Sequence, residues 1–388
     1  MPMNIGIDVR AVGKRLTGDE VYVSNMILNL AKIDTFSNYF LFTNISNPLT
    51  LPLLKDLPAN FRVISILPAN KFIWTMFLLP LYAIKYNLDI LHVLYITPIF
   101  LPRRIRLITT IHDMSWKMLP QHVKKIDRIS LNILIPLSVR RANKIITISD
   151  NSRNDIINLL SVRKREKVKT IYIGGYINEN KLIMPSFEKI GIDAAKSNYI
   201  LYMGTLQPRK NIPALIEAYM ELYKEYAVNL GDNFPKLVIA GARGYNYDFN
   251  IDKTMDKIDK FDKNKYILLP GYISDENKYT LLKNASIFVY PSLYEGFGIP
   301  PIEAMSLGVP TIVSDKSCLP EIVGDGACVL DTKNKKVFAV ELYDILTNKE
   351  RIQNMVRKGM LRAKQFTWEN MAINTLKIYE EIITSGDI

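Results

Sequence analysis

The stretch Tyr290-Pro-Ser-Leu-Tyr-Glu-Gly-Phe-Gly-Ile-Pro-Pro-Ile-Glu-Ala-Met-Ser-Leu-Gly308 decides how the rest of the chain is read. The apolar run Ser286–Tyr290 that leads into it predicts a buried strand, and Gly296 and Gly298 predict a loop. Pro300 and Pro301 then open a helix, because a missing N–H costs nothing in the first helical turn. Glycines let backbone amides approach a ligand closely, and a helix N-terminus carries roughly half a positive charge, so this strand-loop-helix unit suits an anion such as pyrophosphate. Glu295 lies in the loop and Glu303 in the first helical turn, placing two carboxylates where they can accept from vicinal hydroxyls.

Outward from this unit the same alternation of short apolar runs and longer helical stretches recurs, the signature of parallel sheets covered by helices. The first half offers strands at Asn4–Val9, Tyr39–Thr43, Arg62–Leu67, Ile90–Val93, Leu107–Ile111 and Lys144–Ile148. The second offers Tyr199–Met203, Lys236–Ala240, Tyr266–Leu269, Ser286–Tyr290 and Thr311–Ser314, with Cys328–Leu330 as a short edge strand. A chain of 388 residues exceeds what one core carries, so two α/β domains are expected, with a crossover near Ile173–Ser197. In such folds ligands bind beyond the carboxyl ends of the strands, which makes the residues following each strand the candidates.

Composition narrows the function classes. With 48 % hydrophobic and 23 % charged residues the chain is neither disordered nor collagenous. Cys318 and Cys328 have neither a Cys-x-x-Cys spacing nor a nearby histidine, which argues against a disulfide framework or a structural zinc site. The longest apolar run, Phe72–Ile84, is 13 residues long and contains Pro80, too short to span a bilayer. The first residues lack the pattern of a secretory signal, so a cytoplasmic location is expected. The net charge of +12 is divided unevenly: residues 1–170 hold 24 Lys and Arg against 11 Asp and Glu, whereas residues 171–388 hold 26 against 27. The basic half predicts an anionic partner, and an acidic acceptor, an anionic bilayer surface and nucleic acid all fit the charge. Nucleic acid is the weakest of these, since the basic residues lack interleaved aromatics and no recognition motif is visible.

Several separate motifs in one order resemble glycosyltransferase family 4, a group of retaining nucleotide-sugar transferases. They are the Glu295–Glu303 segment, Met203-Gly-Thr-Leu-Gln-Pro-Arg-Lys-Asn211, Gly271-Tyr-Ile-Ser-Asp275, Pro310-Thr-Ile-Val-Ser314, Leu319-Pro-Glu-Ile-Val-Gly-Asp325, Thr109-Thr-Ile-His-Asp113, Ile146-Thr-Ile-Ser-Asp-Asn-Ser-Arg153 and Phe366-Thr-Trp-Glu369. The resemblance implies two facing Rossmann-like domains, the GT-B architecture. The N-terminal acceptor-binding domain would comprise 1–178 plus a C-terminal helix 367–388 that crosses back, and the nucleotide-sugar domain 179–366. It implies that Arg209 and Lys210 neutralise the departing diphosphate, which suits a forked guanidinium beside a point-charge ammonium. It further implies that Glu303 binds ribose hydroxyls, that Glu295 contacts the transferred sugar, and that the amides of Phe297, Gly298 and Ile299 hold sugar or phosphate oxygens. Tyr272 and Ile273 would lie beside the nucleobase. His112, directly at the end of a strand, reaches the transfer site in the family, and Asp113 beside it either fixes a tautomer or caps a turn. His92 reads as a core residue.

One departure stands out. Relatives often carry Thr-Gly-Ile-Gly-Arg-Tyr where this chain reads Thr17-Gly-Asp-Glu-Val-Tyr22, so Gly18 can still approach donor phosphates while Asp19 and Glu20 would repel them unless turned elsewhere. No Asp-x-Asp occurs, so no metal or other cofactor is expected and cationic side chains must neutralise the leaving group. The predicted activity is transfer of a hexose-type sugar from a nucleoside-diphosphate sugar to a hydroxyl of a glycan or lipid-linked acceptor, by a peripheral enzyme on the inner face of the plasma membrane. A sugar phosphorylase, a sugar-nucleotide epimerase and a basic nucleic-acid-binding protein are the alternatives. The aromatic-rich run Lys71–Tyr86 reads equally as a docking element for an anionic bilayer and as a core helix.

Overall fold

A computed structural model describes residues 2–13, 18–67, 70–177, 198–243, 246–258 and 263–384. The chain divides into two compact units, Met1–Gly174 with Thr367–Ile388, and Gly175–Phe366. The expected crossover between the halves falls largely on 178–197, outside the described residues.

In the first unit the strands β1 (Asn4–Asp8), β2 (Asn38–Thr43), β3 (Phe61–Ser65), β4 (Ile90–Leu94), β5 (Arg106–Thr110), β6 (Lys144–Thr147) and β7 (Val168–Thr170) form one sheet in the order β3-β2-β1-β4-β5-β6-β7. Every pairing in it is parallel. The second unit holds β8 (Tyr199–Met203), β9 (Lys236–Ala240), β10 (Ile267–Gly271), β11 (Ile287–Tyr290), β12 (Thr311–Ser314) and β13 (Cys328–Leu330), in the order β10-β9-β8-β11-β12-β13, also all parallel. Strands covered by helices on both faces need apolar residues at every position, which is why Tyr199-Ile-Leu-Tyr-Met203 is buried throughout. In both units the strand order reverses beside the first strand, and ligands of open α/β sheets bind at that crevice.

One strand escapes the reading of the sequence. β7 is three residues long, carries an outward Lys169, and among the described residues pairs only with β6, so no apolar run announces it.

The last helix, Trp368–Thr384, belongs to the first unit although the 192 residues of the other unit, Gly175–Phe366, precede it. Two contacts fix it there. A Cβ on Gly174 would come within 2.3 Å of the Trp368 ring, so only glycine lets the indole lie flat on the chain. The Tyr379 hydroxyl meets His92 Nδ1 at 2.6 Å, while His92 Nε2 meets Thr110 Oγ1 at 2.8 Å. Burial, aided by nearby His112, lowers His92 to about 3, and the ring stays neutral as a satisfied core residue.

The run Lys71–Tyr86 forms a helix interrupted by a π-helical turn at Trp74–Leu78, with Pro80 just beyond it. Trp74, Leu79 and Ala83 enter the core with Phe42 and Leu91, and Arg10 lies 3.8 Å over the Trp74 ring.

Candidate active site

In the second unit the candidate residues gather at the carboxyl ends of β8 and β11. After β8, Pro208–Lys210 makes a 3₁₀ turn and Asn211 takes a left-handed conformation (φ +57°, ψ +38°), which asparagine tolerates better than most residues, before the helix Ile212–Leu230 begins. The Asn211 amide donates to the Pro291 carbonyl and to Thr332 Oγ1, and the Leu293 N–H donates to the Arg209 carbonyl at 2.7 Å. These bonds tie the turn to the loop that follows β11.

Glu295 sits on that loop between two cations. Arg209 Nη1 lies 2.7 Å from Oε2, and Lys210 Nζ lies 2.5 Å from Oε1. Lys210 also donates to the Tyr290 hydroxyl at 2.5 Å and lies over that ring. Burial would raise the Glu295 carboxyl, but Arg209 and Lys210 outweigh it and hold the group at about 2. Burial and the same carboxylate push the Tyr290 phenol well above its ordinary value. The cluster holds two cations against one anion. Arg209 retains 27 % of its side chain in solvent, whereas Lys210 keeps only 6 %.

The loop is braced from behind. Ser317 Oγ donates to the Glu295 carbonyl at 2.7 Å and accepts from the Glu295 N–H, and Cys318 Sγ lies within 3.3 Å of the Glu295 and Phe297 carbonyls. Phe297 is buried edge-on against Phe366. Gly298 has φ +91°, and a Cβ there would sit 2.8 Å from Leu319 Cδ2. It caps the helix Ile299–Ser306, and because Pro300 and Pro301 carry no N–H, Ile299 and Ile302 supply the first-turn amides. Glu303, in that helix, is buried; Lys278 Nζ on the helix Asp275–Lys283 lies 2.6 Å from its Oε1, and Oε2 has no partner among the described residues. Tyr272 is exposed just after β10 and Ile273 follows it half-buried.

In the first unit His112 follows β5 and is buried. Its Nδ1 lies 2.8 Å from Asp19 Oδ1 and 3.1 Å from the Tyr95 hydroxyl, which itself donates to Asp19. A carboxylate only accepts, so Nδ1 carries a proton toward Asp19, while Nε2 is buried without a partner among the described residues. The rings of Tyr22 and Tyr95 meet the imidazole edge-on. Glu20 Oε1 accepts from the Gly13 N–H at 2.7 Å. Both acidic residues are thus turned to partners of the protein itself. Asp113 accepts from the Ser115 N–H, the turn-capping alternative, and the tautomer is set by Asp19 instead. Gly18 is exposed at the start of the helix Gly18–Ile33, with open space where a Cβ would lie; Thr17 is outside the described residues.

The family described as Glycosyltransferase Family 4 matches residues 41–174, and that described as Glycosyl transferases group 1 matches residues 186–362. An O-antigen chain mannosyltransferase of Escherichia coli is 34 % identical over 286 residues, 72 % of each chain. The chain is a family 4 glycosyltransferase. A second O-antigen chain mannosyltransferase, from Salmonella typhimurium, is 28 % identical to it over 197 residues, 51 % of this chain and 48 % of the relative. Among solved structures, a sucrose-phosphate synthase from Thermosynechococcus elongatus superposes with TM-score 0.72 at 17 % identity, covering 99 % and 100 % of the two chains. A protein from Anabaena, solved with UDP and glucose, gives 0.68 at 16 % identity over 98 % and 100 %. These likenesses give the glycosyltransferase a two-domain α/β fold of the GT-B class.

The candidate site of the glycosyltransferase also gathers residues that the sequence did not single out. Lys278 pairs with Glu303 from a different helix, Tyr290 receives Lys210, and Ser317 with Cys318 supports Glu295. Only Asp19 left a trace in the sequence, as an acidic residue where a glycine-basic pattern was expected.

Proposed function

We propose that the second unit holds a nucleoside-diphosphate sugar and that the enzyme transfers its hexose, with retention of anomeric configuration, to a hydroxyl of a glycan or lipid-linked acceptor. The observation that carries this is the Arg209–Glu295–Lys210 cluster on the loop that opens the helix Ile299–Ser306. It has one positive charge in excess and a partly exposed guanidinium. An arriving diphosphate competes with Glu295 for Arg209, while Lys210 keeps its hold on Oε1. Oε2 is then released to accept from a hydroxyl of the sugar. Amides of Phe297, Gly298 and Ile299 complete the phosphate and sugar contacts, and Tyr272 and Ile273 flank the base. Gly18 and His112, both in the first unit, are proposed from the family resemblance alone. The buried Oε2 of Glu303 suits a ribose hydroxyl, with Lys278 holding the other oxygen.

In the chemical step the C1–O bond to the diphosphate breaks and the acceptor oxygen bonds to C1 on the same face. The acceptor proton passes to the departing phosphate, and the nucleoside diphosphate leaves. With the donor bound, Lys210 keeps Oε1 and a sugar hydroxyl takes Oε2, so the Glu295 carboxylate is engaged at both oxygens, which favours this route over a covalent glycosyl-enzyme. Arg209, Lys210 and the helix N-terminus supply the neutralisation that other transferases take from a metal.

Thermal-shift titration with UDP-, GDP-, ADP- and dTDP-sugars identifies the donor, with mannose the first sugar to try given the relatives' names. At about 100 times its dissociation constant the right donor stabilises by roughly 2.7 kcal/mol. Arg209→Ala is expected to lose that shift. A shift unchanged in Arg209→Ala, or proton NMR showing an inverted linkage, overturns the proposal.

A further inference from the structure

The helix Lys125–Arg141 of the first unit is apolar on two opposite sides. Ile135 and Val139 pack into the core with Ile111 and Ile145. Ile126, Ile129, Ile133 and Leu137 follow one another at spacings of three and four, so they form a stripe on the opposite side, from 77 % exposed at Ile126 to 41 % at Leu137. A second such stripe runs along the helix that begins at Lys71. Its π-helical turn adds one residue, which brings Phe72 into line with Phe77, Leu81 and Ile84; the two phenyl rings meet at 6.5 Å, and all four side chains are exposed.

Both stripes lie on one side of the sheet. The connections after β3 and after β5 run in the same direction across the strand order, and right-handed crossovers put their helices on the same face, opposite the helix Gly18–Ile33. The segment between β4 and β5 bridges them. Leu101 shares the core cluster of Trp74 and Leu79, its carbonyl accepts from Arg141 Nη2, and the exposed Ile99 lines a shallow hollow with Leu137, Arg140 and Arg141. Exposed Arg103, Arg104, Lys125 and Arg140 rim this ground, and residues 100–170 hold 16 basic against 5 acidic residues.

We infer that this face docks on an anionic lipid bilayer, the apolar stripes entering the headgroup boundary and the basic rim meeting lipid phosphates. The charge selects the occupant. A second copy would bring two strongly basic faces together, and nucleic acid would leave the isoleucines and phenylalanines bare in water. An anionic bilayer satisfies both features. The surface stands on this unit alone; only its use, presenting a lipid-linked acceptor, rests on the reading above.

The test is co-sedimentation of the full chain with phosphatidylcholine vesicles, with and without phosphatidylglycerol. The wild type is expected to bind the anionic vesicles, less so as salt rises. The double variant Ile129→Glu and Ile133→Glu should lower its partition at least about tenfold. Phe36→Glu, at an exposed apolar position off this face, should leave binding unchanged. Ile126→Gln, the most exposed stripe position, should weaken binding less and imposes nothing on the core. Absence of vesicle binding, equal binding to neutral vesicles, or unaltered binding by the stripe variants overturns the inference. So does a wild-type dimer that the stripe variants convert to monomer. The thermal shift with nucleotide-sugar reads the other unit, so failure of one proposal leaves the other separately judged.

Discussion

Glu295→Gln tests the charge cluster most directly, because it removes the one anion between Arg209 and Lys210 while keeping the shape of the side chain. In the native protein burial works against the carboxylate and the two cations outweigh it, holding it at about 2 instead of its ordinary 4.5. At roughly 1.4 kcal/mol per pH unit that gap amounts to about 3 kcal/mol of stability. The sign follows from the direction: the folded value lies below the unfolded one, so the stabilisation is complete above about pH 4.5 and is lost as pH falls toward 2. The same order emerges from breaking one member of a buried ion cluster, roughly 3–5 kcal/mol. At pH 7 the variant should melt about 6–12 °C below the wild type, given roughly 2–4 °C per kcal/mol for domains of this size class. The difference should narrow steadily below pH 4.5. Inorganic pyrophosphate, a replacement anion for the two stranded cations, should raise the variant's melting temperature more than the wild type's. Melting curves across pH, with and without pyrophosphate, supply all three readouts. A difference under about 1 kcal/mol at pH 7, or one that stays constant down to pH 3, would refute the reasoning.

Lys278→Met should weaken nucleoside-diphosphate binding about tenfold or more while leaving pyrophosphate affinity unchanged, since the lost charge-assisted bond orients Glu303 alone; calorimetric titration with both ligands separates the two. Asp19→Asn should reduce turnover by about tenfold to a hundredfold with donor binding intact, and should shift the His112 tautomer signals in nitrogen-15 NMR, because an amide can donate where the carboxylate only accepts. Gly298→Ala should cost about 1–3 kcal/mol by urea unfolding and impair donor binding, as the new methyl meets Leu319 and the left-handed backbone disfavours it.

How far the sequence reaches is visible in particular residues. Twelve of the thirteen strands among the described residues announce themselves, because most positions of a strand covered by helices are apolar. β7 does not: a three-residue edge with an outward lysine has no pattern to show. Glu295 and Glu303 are legible because both lie in one strand-loop-helix unit, and Arg209 with Lys210 because they follow a strand. Lys278 is not, since nothing local to Asp275–Lys283 reveals that its fourth residue faces a carboxylate on another helix. The pair Asp19-Glu20 reads as repulsive to phosphate, and the fold resolves it by giving Asp19 to His112 and Glu20 to a backbone amide.

Local chemistry therefore determined what could be read along the chain: period, turn-forming residues, a glycine-proline helix start and the uneven charge. Those depend on neighbours a few positions apart. Tertiary structure alone decided which distant groups meet: Asp19 with His112, Tyr379 with His92, Lys278 with Glu303, and two apolar stripes on one side of a sheet. Strand order and crossover hand set those meetings, and both arise from packing the whole chain, where no single segment carries the information.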